Sequence, residues 1–362
     1  EIDKERGVIH EEWRMGQGAM MRIFERALPK LYPGSRYGSR LPIGTMEVVD
    51  NFPHDTLRAY YNKWYHPSLQ GIVVVGDINV DEIEGKIKKL FSPIPNPENE
   101  AAYVNYPVPN NNEAIYVIEK DKELRNSIIQ MMFKQDPVPT ELRGSMMFLM
   151  TNYIYRLISS SLNSRLKELS QKPDAPFVQA SASVSGYILS KTKDAFNVSI
   201  LPKPGKDKEA LQVVLEEVNR AKQHGFMETE VMRANDEFMS GMEKIYNNRE
   251  KQRSDFFIPQ YVRHFLEGDA IPSIEDEYNT YKMLSTQLSM AKQLGAISNQ
   301  AFAEITANTD TNFVVLAIYP DKEDVIIPTE ADFKEAVAAA NAAKLEAYVD
   351  NVKNEPLITK LP

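Results

Sequence analysis

Two glutamates near the beginning of the sequence have the spacing of side chains that act together on one helix. Glu5 and Glu12 are seven positions apart in EIDKERGVIHEEWRM, about two helical turns, so both point the same way within roughly 20°. The helix dipole by itself explains an acidic residue at position 5. It does not explain Glu12, which lies about three turns in, beside Ile9 and Trp13, where covering an unpartnered carboxylate is costly. Glu12 is therefore a candidate metal ligand or ion-pair partner.

Other motifs that carry chemistry are absent from the sequence. No two of its five histidines lie four positions apart, so neither His-Glu-x-x-His nor His-x-x-Glu-His occurs. The absence of cysteine excludes disulfides, a cysteine nucleophile and thiolate metal sites. There is no Gly-x-Ser-x-Gly elbow and no glycine-rich phosphate loop. Taken from its residues alone, the chain carries at most one half of a metal site.

Length and charge narrow the class of protein. A chain of 362 residues suits two domains, and 43% hydrophobic with 26% charged residues is the balance of a globular protein. The formal net charge of −9 argues against a nucleic-acid partner, because binding phosphates requires clustered Lys and Arg. No apolar run reaches the roughly 20 residues of a membrane-spanning helix.

The first third of the sequence predicts helices around one buried strand. Apolar residues at helical spacing predict one long helix over residues 1–28 and a second over residues 55–65. The β-branched run GIVVVGDI predicts a strand buried on both faces, and NVDEIEGKIKKLF after it has helical period. Residues 96–112 are rich in Pro and Asn and predict a linker between domains.

The remainder of the sequence predicts a second α+β unit. Its helices are expected over residues 141–170, in KEALQVVLEEVNRAKQHG, over residues 228–266 and in the Ala-rich FKEAVAAANAAKLEAYV. Its strands are expected in AIYVIEK, SIIQMMFK, FVQASASVSGY, AFNVSILPK and NFVVLAIYP. The order helix, strand, helix occurs in both parts and predicts two similar α+β domains in tandem.

The segment that contains Glu5 and Glu12 resembles the helix that supplies the third zinc ligand in the pitrilysin/insulinase family of zinc metallopeptidases, the inverzincins related to mitochondrial processing peptidase. YPGSRYGSRLPIGTMEVVDNFPHDTLRAYYNKWYHPSLQGIVVVGDI and SSSLNSRLKEL resemble further stretches of that family. The resemblance covers residues 1–320 and is most specific in the first 80. It implies tandem metallohydrolase-like α/β domains, as in mitochondrial processing peptidase and LuxS, with the first domain incomplete at its N-terminus.

The same resemblance implies site residues, a cofactor and partners. Glu12 corresponds to the zinc ligand and Glu5 to the carboxylate that supports it. The family's His-x-x-Glu-His helix, which supplies two zinc ligands and the general base, has no counterpart in this sequence. We therefore expect an inactive, zinc-free fragment of a zinc endopeptidase that acts on peptides or unfolded proteins. The missing N-terminal segment and a second peptidase half are its expected partners.

The resemblance also divides the chain and leaves an alternative. We expect residues 1–105 to belong to the catalytic domain, residues 106–325 to a second, non-catalytic domain, and residues 326–362 to a helical connector. The alternative function is a non-catalytic structural or peptide-binding subunit of the same fold. Periplasm or cell envelope is the expected location, with cytoplasm left open. Exposed apolar edges of an incomplete sheet would make the chain self-associate.

Overall fold

The computed structural model describes residues 1–307 and 311–351, which form twelve α-helices and one sheet of five strands. The helices are α1 (Ile2–Gly16), α2 (Ala19–Leu31), α3 (Met46–Asn51), α4 (His54–Trp64), α5 (Val80–Phe91), α6 (Met146–Ser170), α7 (Asp207–His224), α8 (Glu228–Asn247), α9 (Ser254–Glu267), α10 (Ile274–Met290), α11 (Leu294–Ile305) and α12 (Glu330–Ala342). The strands are β1 (Ile115–Asp121), β2 (Ile128–Gln135), β3 (Phe177–Gly186), β4 (Asp194–Pro202) and β5 (Phe313–Pro320).

The predicted first helix is two helices. Helix α1 ends at Gly16, and α2 begins after Gly18, whose backbone is extended. Helical period continues across the break, but two glycines within three positions weaken a helix at that point. The predicted helix over residues 228–266 is likewise divided, because α8 ends at Asn247 and α9 begins at Ser254.

The strand predicted for GIVVVGDI is wrong. Residues 70–78 contain no strand, and Ile72, Val73 and Val74 are exposed rather than buried on both faces. A strand is stabilised by hydrogen bonds to a neighbouring strand, and the described part of the chain places none beside this run. The first of the two predicted domains therefore has no sheet of its own among the described residues, whereas the α+β class is confirmed.

All five strands predicted downstream are present and form one mixed sheet in the order β1-β5-β2-β4-β3. Strand β5 pairs parallel with β1 and antiparallel with β2, so the last strand in the chain lies at the inside of the sheet. This position explains its almost continuous burial. Among the described residues, strand β3 pairs only with β4 and forms one edge of the sheet.

Helices cover both faces of the sheet. The larger core packs helices including α6, α7, α8 and α11 against one face, with Phe196 of β4 and Phe302 of α11 fully buried. The smaller core packs α2 against the other face, where Leu28 and Leu31 meet side chains of β1, β2 and β5. Residues before the predicted linker thus contribute to the core of the second unit.

A buried arginine joins three helices of the larger core. Arg165 of α6 donates to both carboxylate oxygens of Glu230 in α8, each at 2.7 Å, and to Glu217 in α7 at 3.3 Å. Its guanidinium also donates to the carbonyl of Gly225 at 3.0 Å. Because both glutamates belong to packed helices, this network fixes how α6, α7 and α8 meet.

The Ala-rich helix packs into the core. Phe333, Ala336 and Ala340 of α12 are fully buried, and α12 lies mainly against α7. After α12, residues 343–351 are not helical, and the side chain of Asp350 accepts a hydrogen bond from Arg233 at 2.7 Å. The predicted connector therefore begins with a helix of the packed unit; its residues 352–362 lie outside the described part. The three-part division of the chain stays a prediction.

Candidate functional site

Helix α1 is held in place by polar contacts on one side. Arg6 donates to the carbonyls of Val49 and Phe52, and its guanidinium lies 4.1 Å from the centre of the Phe52 ring. His10 is 2.7 Å from the carboxylate of Asp50. These contacts attach α1 to the segment that contains α3.

A second histidine fixes the start of the same helix. The side chain of His54 is 2.8 Å from the carboxylate of Asp3, which also accepts from Arg6 at 3.0 Å. These hydrogen bonds, that of His54 foremost, lower the pKa of Asp3. Asp3, Arg6 and His10 follow the spacing of one helical face, so a single face of α1 makes all of these contacts.

Glu5 and Glu12 lie together on the opposite side of α1, as their spacing predicts. Both are exposed, and within the described ranges neither carboxylate has a hydrogen-bond or ion-pair partner. Val8 and Met15 share this side and are 54% and 84% exposed. The burial cost expected for Glu12 is therefore not incurred in this chain, and the face that carries both glutamates is uncovered.

The described residues do not fit a zinc ion by themselves. Across residues 1–307 and 311–351, no group of three or more His, Cys, Asp or Glu side chains is arranged to hold a metal ion. A catalytic zinc site takes three protein ligands and a water. Glu12 can supply one of the three, so no hydrolytic step is assigned to these residues.

A cleft of about 840 Å³ separates helix α6 from the end of strand β3. Its walls are mostly polar side chains of α6 and the backbone and hydroxyls of β3. They include Asn152, Arg156, Asn163, Lys167, Ser183 and Ser185. Residues 183–186 of β3 line the cleft, and because β3 is an edge strand, the backbone groups there that do not pair with β4 face away from the sheet.

One of those outer backbone positions is occupied by a side chain. The amide of Asn163 donates to the carbonyl of Ala182 at 3.0 Å and accepts from its N–H at 2.6 Å. Residues of an antiparallel strand alternate between facing the partner strand and facing away from it. Val184, two residues on, therefore faces the cleft with the same pair of backbone groups.

Arg156 and Lys167 place positive charge on the α6 wall of the cleft, and a carboxyl lies where β4 begins. Asp194 lines the cleft, and burial raises the pKa of its carboxyl, with the positive charge of Arg143 opposing the shift. Arg143 is itself tied to Asp269 at 2.9 Å. The cleft thus combines an open strand edge with a partly desolvated carboxyl.

The sequence prediction did not include this cleft. Two signals point to it: polar residues of α6 recur at helical spacing along one face, and β3 reads QASASVSG, a strand with small polar side chains rather than a buried pattern. Neither signal says that the helix face and the strand edge lie opposite each other, since that depends on the order of strands in the sheet.

Comparison with known proteins places this architecture in a family. The profile described as "Peptidase M16 inactive domain" matches residues 51–238, more than half of the 362 residues. The chain belongs to the peptidase M16 family. The resemblance to pitrilysin-type zinc peptidases is thereby confirmed, although the part of the family that matches is the one described as inactive.

Relatives of this M16 chain are named as zinc proteases. A zinc protease PQQL-like protein of Arabidopsis thaliana is 27% identical over 294 residues, covering 80% of this chain and 27% of that protein. The probable zinc protease PqqL of Escherichia coli strain K12 is 25% identical over 291 residues, covering 80% of this chain and 31% of that protein. The M16 chain thus spans less than a third of the length of these curated relatives.

Solved structures share the fold of the M16 chain. The first half of the periplasmic protease PqqL from Escherichia coli superposes with a TM-score of 0.81 at 22% identity, covering 97% of this chain and 72% of that one. Pitrilysin superposes with a TM-score of 0.60 at 14% identity, covering 96% of this chain and 36% of that one. No helix in the described part of the chain is long and apolar enough to cross a membrane.

Proposed function

We propose that the M16 chain is part of a zinc-dependent endopeptidase in which Glu12 is one zinc ligand and Glu5 supports it. The observation that carries this proposal is the uncovered face of α1, where both glutamates stand without partners beside exposed Val8 and Met15. A face with this composition suits contact with another segment that brings the remaining ligands. Two histidines and a general-base glutamate would come from residues outside these 362.

In this proposal the 362 residues do not hydrolyse peptides alone. A zinc ion bound by Glu12 and two histidines would supply an activated water. The chain's own contribution would be to hold Glu12 in position, which the contacts of α1 with Val49, Asp50 and Phe52 support. The parent protein would work in the periplasm or envelope, since the PqqL protease of Escherichia coli is described as periplasmic.

The cleft between α6 and β3 supports a second part of the same proposal, that this unit binds peptide substrate. An extended peptide can add to an exposed strand edge through backbone hydrogen bonds, with little dependence on its sequence. Val184 faces the cleft at that edge, and the polar wall of α6 lies opposite. One structural relative, the ferredoxin protease FusC, forms a complex with Arabidopsis ferredoxin, which is a protein.

The full-length protein tests the zinc assignment. Purified full-length Glu12→Gln should lose most of its bound zinc and its peptidase activity, because one of three protein ligands is removed. Glu11→Gln is the matched control, since Glu11 is its neighbour in sequence but pairs with Arg14 at the surface. Zinc is measured by atomic emission. Unchanged zinc content in Glu12→Gln would contradict the assignment.

The alternative is a non-catalytic subunit of the same fold, which would bind peptides or support an assembly. It is favoured by the match of residues 51–238 to the domain described as inactive. The sequence of the parent protein before Glu1 decides between them. An intact His-x-x-Glu-His supports the peptidase, whereas replaced histidines support the subunit.

A further inference from the structure

The turn between β3 and β4 contains a residue in an unfavourable backbone conformation. Ile188 has φ of +51°, and the N–H of Ser190 donates to the carbonyl of Tyr187 at 2.9 Å, which makes Ile188 the second residue of a β-turn. Turns with a positive φ at this position favour Gly, Asn or Asp, because a β-branched side chain crowds its own backbone there. Nothing within the turn itself explains why isoleucine is held in this conformation.

A tyrosine from another part of the chain restrains the turn, in addition to the packing of Ile188 against the smaller core. The hydroxyl of Tyr32, just after α2, donates to the carbonyl of Tyr187 at 3.0 Å and accepts from the N–H of Leu189 at 2.9 Å. One hydroxyl therefore binds the backbone on both sides of Ile188. In return, the hydroxyl of Tyr187 donates to the carbonyl of Leu31 at 2.7 Å.

The side chains of both tyrosines are buried. Tyr32 and Tyr187 are 1% and 0% exposed, and their rings meet edge to face at 5.2 Å. Loss of the Tyr32 hydroxyl would leave the carbonyl of Tyr187 with one partner fewer and the N–H of Leu189 with none in the turn. The bond to the carbonyl of Tyr187 is buried, so water does not replace it, whereas Leu189 is 49% exposed.

The turn is directly connected to the cleft. Tyr187 follows Gly186, the last residue of β3, and Asp194 begins β4 opposite it. Ser185, Gly186 and Asp194 all line the cleft. The conformation of the turn therefore sets where the end of the β3 edge lies relative to α6.

We propose that Tyr32 is a positioning residue for the peptide cleft: its hydroxyl holds Ile188 in the left-handed conformation and thereby fixes the end of the β3 edge. The role in peptide binding rests on the proposed function of the cleft, whereas the restraint on the turn does not. Through Tyr32, the part of the chain that carries Glu12 determines the shape of the peptide site.

The test uses the 362-residue chain with Tyr32→Phe, which removes the hydroxyl and keeps the ring. Hydrogen exchange at the N–H groups of Ser183, Ser185 and Tyr187, which face β4, and at that of Leu189 should become about tenfold faster, the effect of losing roughly one hydrogen bond. Tyr37→Phe is the matched control. Its hydroxyl accepts from the N–H of Lys191 in the same loop, at 3.2 Å on the exposed side, so the end of β3 should not change.

Two variants at position 188 separate strain from packing. Ile188→Gly and Ile188→Ala both remove the half-buried side chain, but only glycine adopts a positive φ without cost. Combined with Tyr32→Phe, Ile188→Gly should restore slow exchange at the N–H groups of Ser183 and Ser185, whereas Ile188→Ala should not. Equal behaviour of the two double variants, or unchanged exchange in Tyr32→Phe alone, would overturn the proposal.

The last measurement is the affinity of the cleft for a peptide. Binding of a fluorescein-labelled peptide of alternating threonine and valine is followed by fluorescence anisotropy. Tyr32→Phe should weaken its binding about fivefold to tenfold, and Ile188→Gly should reverse the loss. Unchanged affinity in Tyr32→Phe would overturn the positioning role. If the unmodified chain binds no peptide while exchange behaves as expected, the proposed function of the cleft fails and the restraint by Tyr32 stands.

Discussion

Residues 1–105 and residues 106–342 use similar sequence patterns but reach different degrees of burial. Helices α1, α3, α4 and α5 contain no buried residue, whereas α6 and α7 each contain eight. In α5, Val80 and Leu90 are both 68% exposed although they belong to a regular apolar face. The comparison teaches that periodicity predicts a helix and its apolar face, but burial requires a surface that the rest of the chain must supply.

One helix in each part departs from this contrast, since α9 also contains no buried residue, and α2 is the departure that supports the explanation. It lies among the same poorly buried helices, yet Ile23, Ala27, Leu28 and Leu31 are buried because α2 packs on the sheet. Its polar face is paired as well. Arg22 donates to Asp121 and Arg26 to Glu119, each at 2.9 Å. The side chains of α2 are more buried than those of its neighbours because α2 lies against the sheet, and not because its apolar pattern is more regular.

The largest expected effect is on the free energy of unfolding, when one aromatic residue from each part is replaced by alanine. Phe302 is 1% exposed and packs edge to face on Phe196 and Phe226, so Phe302→Ala should lower the free energy of unfolding by about 3–5 kcal/mol. Tyr61 is 57% exposed and stacks only on Tyr65, so Tyr61→Ala should change it by no more than about 0.5 kcal/mol. Urea denaturation followed by circular dichroism measures both. Similar losses for the two variants would refute the contrast between the parts.

The next effect concerns the uncovered apolar faces. We expect the chain to self-associate through the first part, so light scattering should report a mass above the 41.2 kDa of one chain, increasing with concentration. Val80→Lys with Leu90→Lys should move the mass toward that of the monomer. Met290→Lys, which replaces an 81% exposed residue of α10, is the control and should not. A monomer at all concentrations would show that these faces do not associate.

The smallest expected effect is on the pH dependence of stability, through the ion pair of Arg22 and Asp121 that joins the two parts. The hydrogen bond from Arg22, followed by that from the N–H of Glu123, lowers the pKa of Asp121 from 3.8 to about 2. A carboxylate with a lowered folded-state pKa stabilises the fold above its unfolded pKa and loses this contribution as pH falls through the folded one. The stabilisation of the fold by Asp121 should therefore be complete above about pH 4 and should decline as the pH falls toward 2.

Arg22→Gln should reduce the loss of stability between pH 4 and pH 2. The measurement is the midpoint of urea denaturation at a series of pH values. Arg14→Gln is the control, because its partner Glu11 is exposed and both lie within α1. An Arg22→Gln protein that loses stability between pH 4 and pH 2 as steeply as the unmodified chain would mean that Asp121 does not carry the dependence.

The sequence predicted local structure well and spatial relations poorly. Strands β1 to β5 all fall where alternating or continuous apolar runs occur, and α4 and α5 agree with prediction within a few residues. The strand in GIVVVGDI was wrong because β propensity cannot form a strand without a neighbour. The break between α1 and α2 was missed because apolar spacing continues across it.

Only some features of the candidate site could be predicted from the sequence. The shared orientation of Glu5 and Glu12 follows from helical geometry and is observed; the ligand role of Glu12 stays a prediction. The cleft could not be predicted, because the polar face of α6 and the outer backbone of β3 come together only once β3 is known to be an edge strand. Tyr32 was equally hidden, since no local signal connects a residue after α2 with a turn at Ile188.

The position of α2 has a consequence for how such proteins are divided and recombined. Cutting the chain at the proline-rich segment of residues 96–112 looks natural, yet it would strip a helix from the sheet and leave Val117, Met132 and Val314 facing solvent. Chimeras joined there should be insoluble, whereas an exchange at Gln17 and Gly18 leaves α2 on the sheet and moves α1 alone, whose new partner segment must then supply the contacts made here by residues 49–54. The boundary between the helix that carries the two glutamates and the helix that packs on the sheet thus lies within a segment whose sequence predicts one continuous helix.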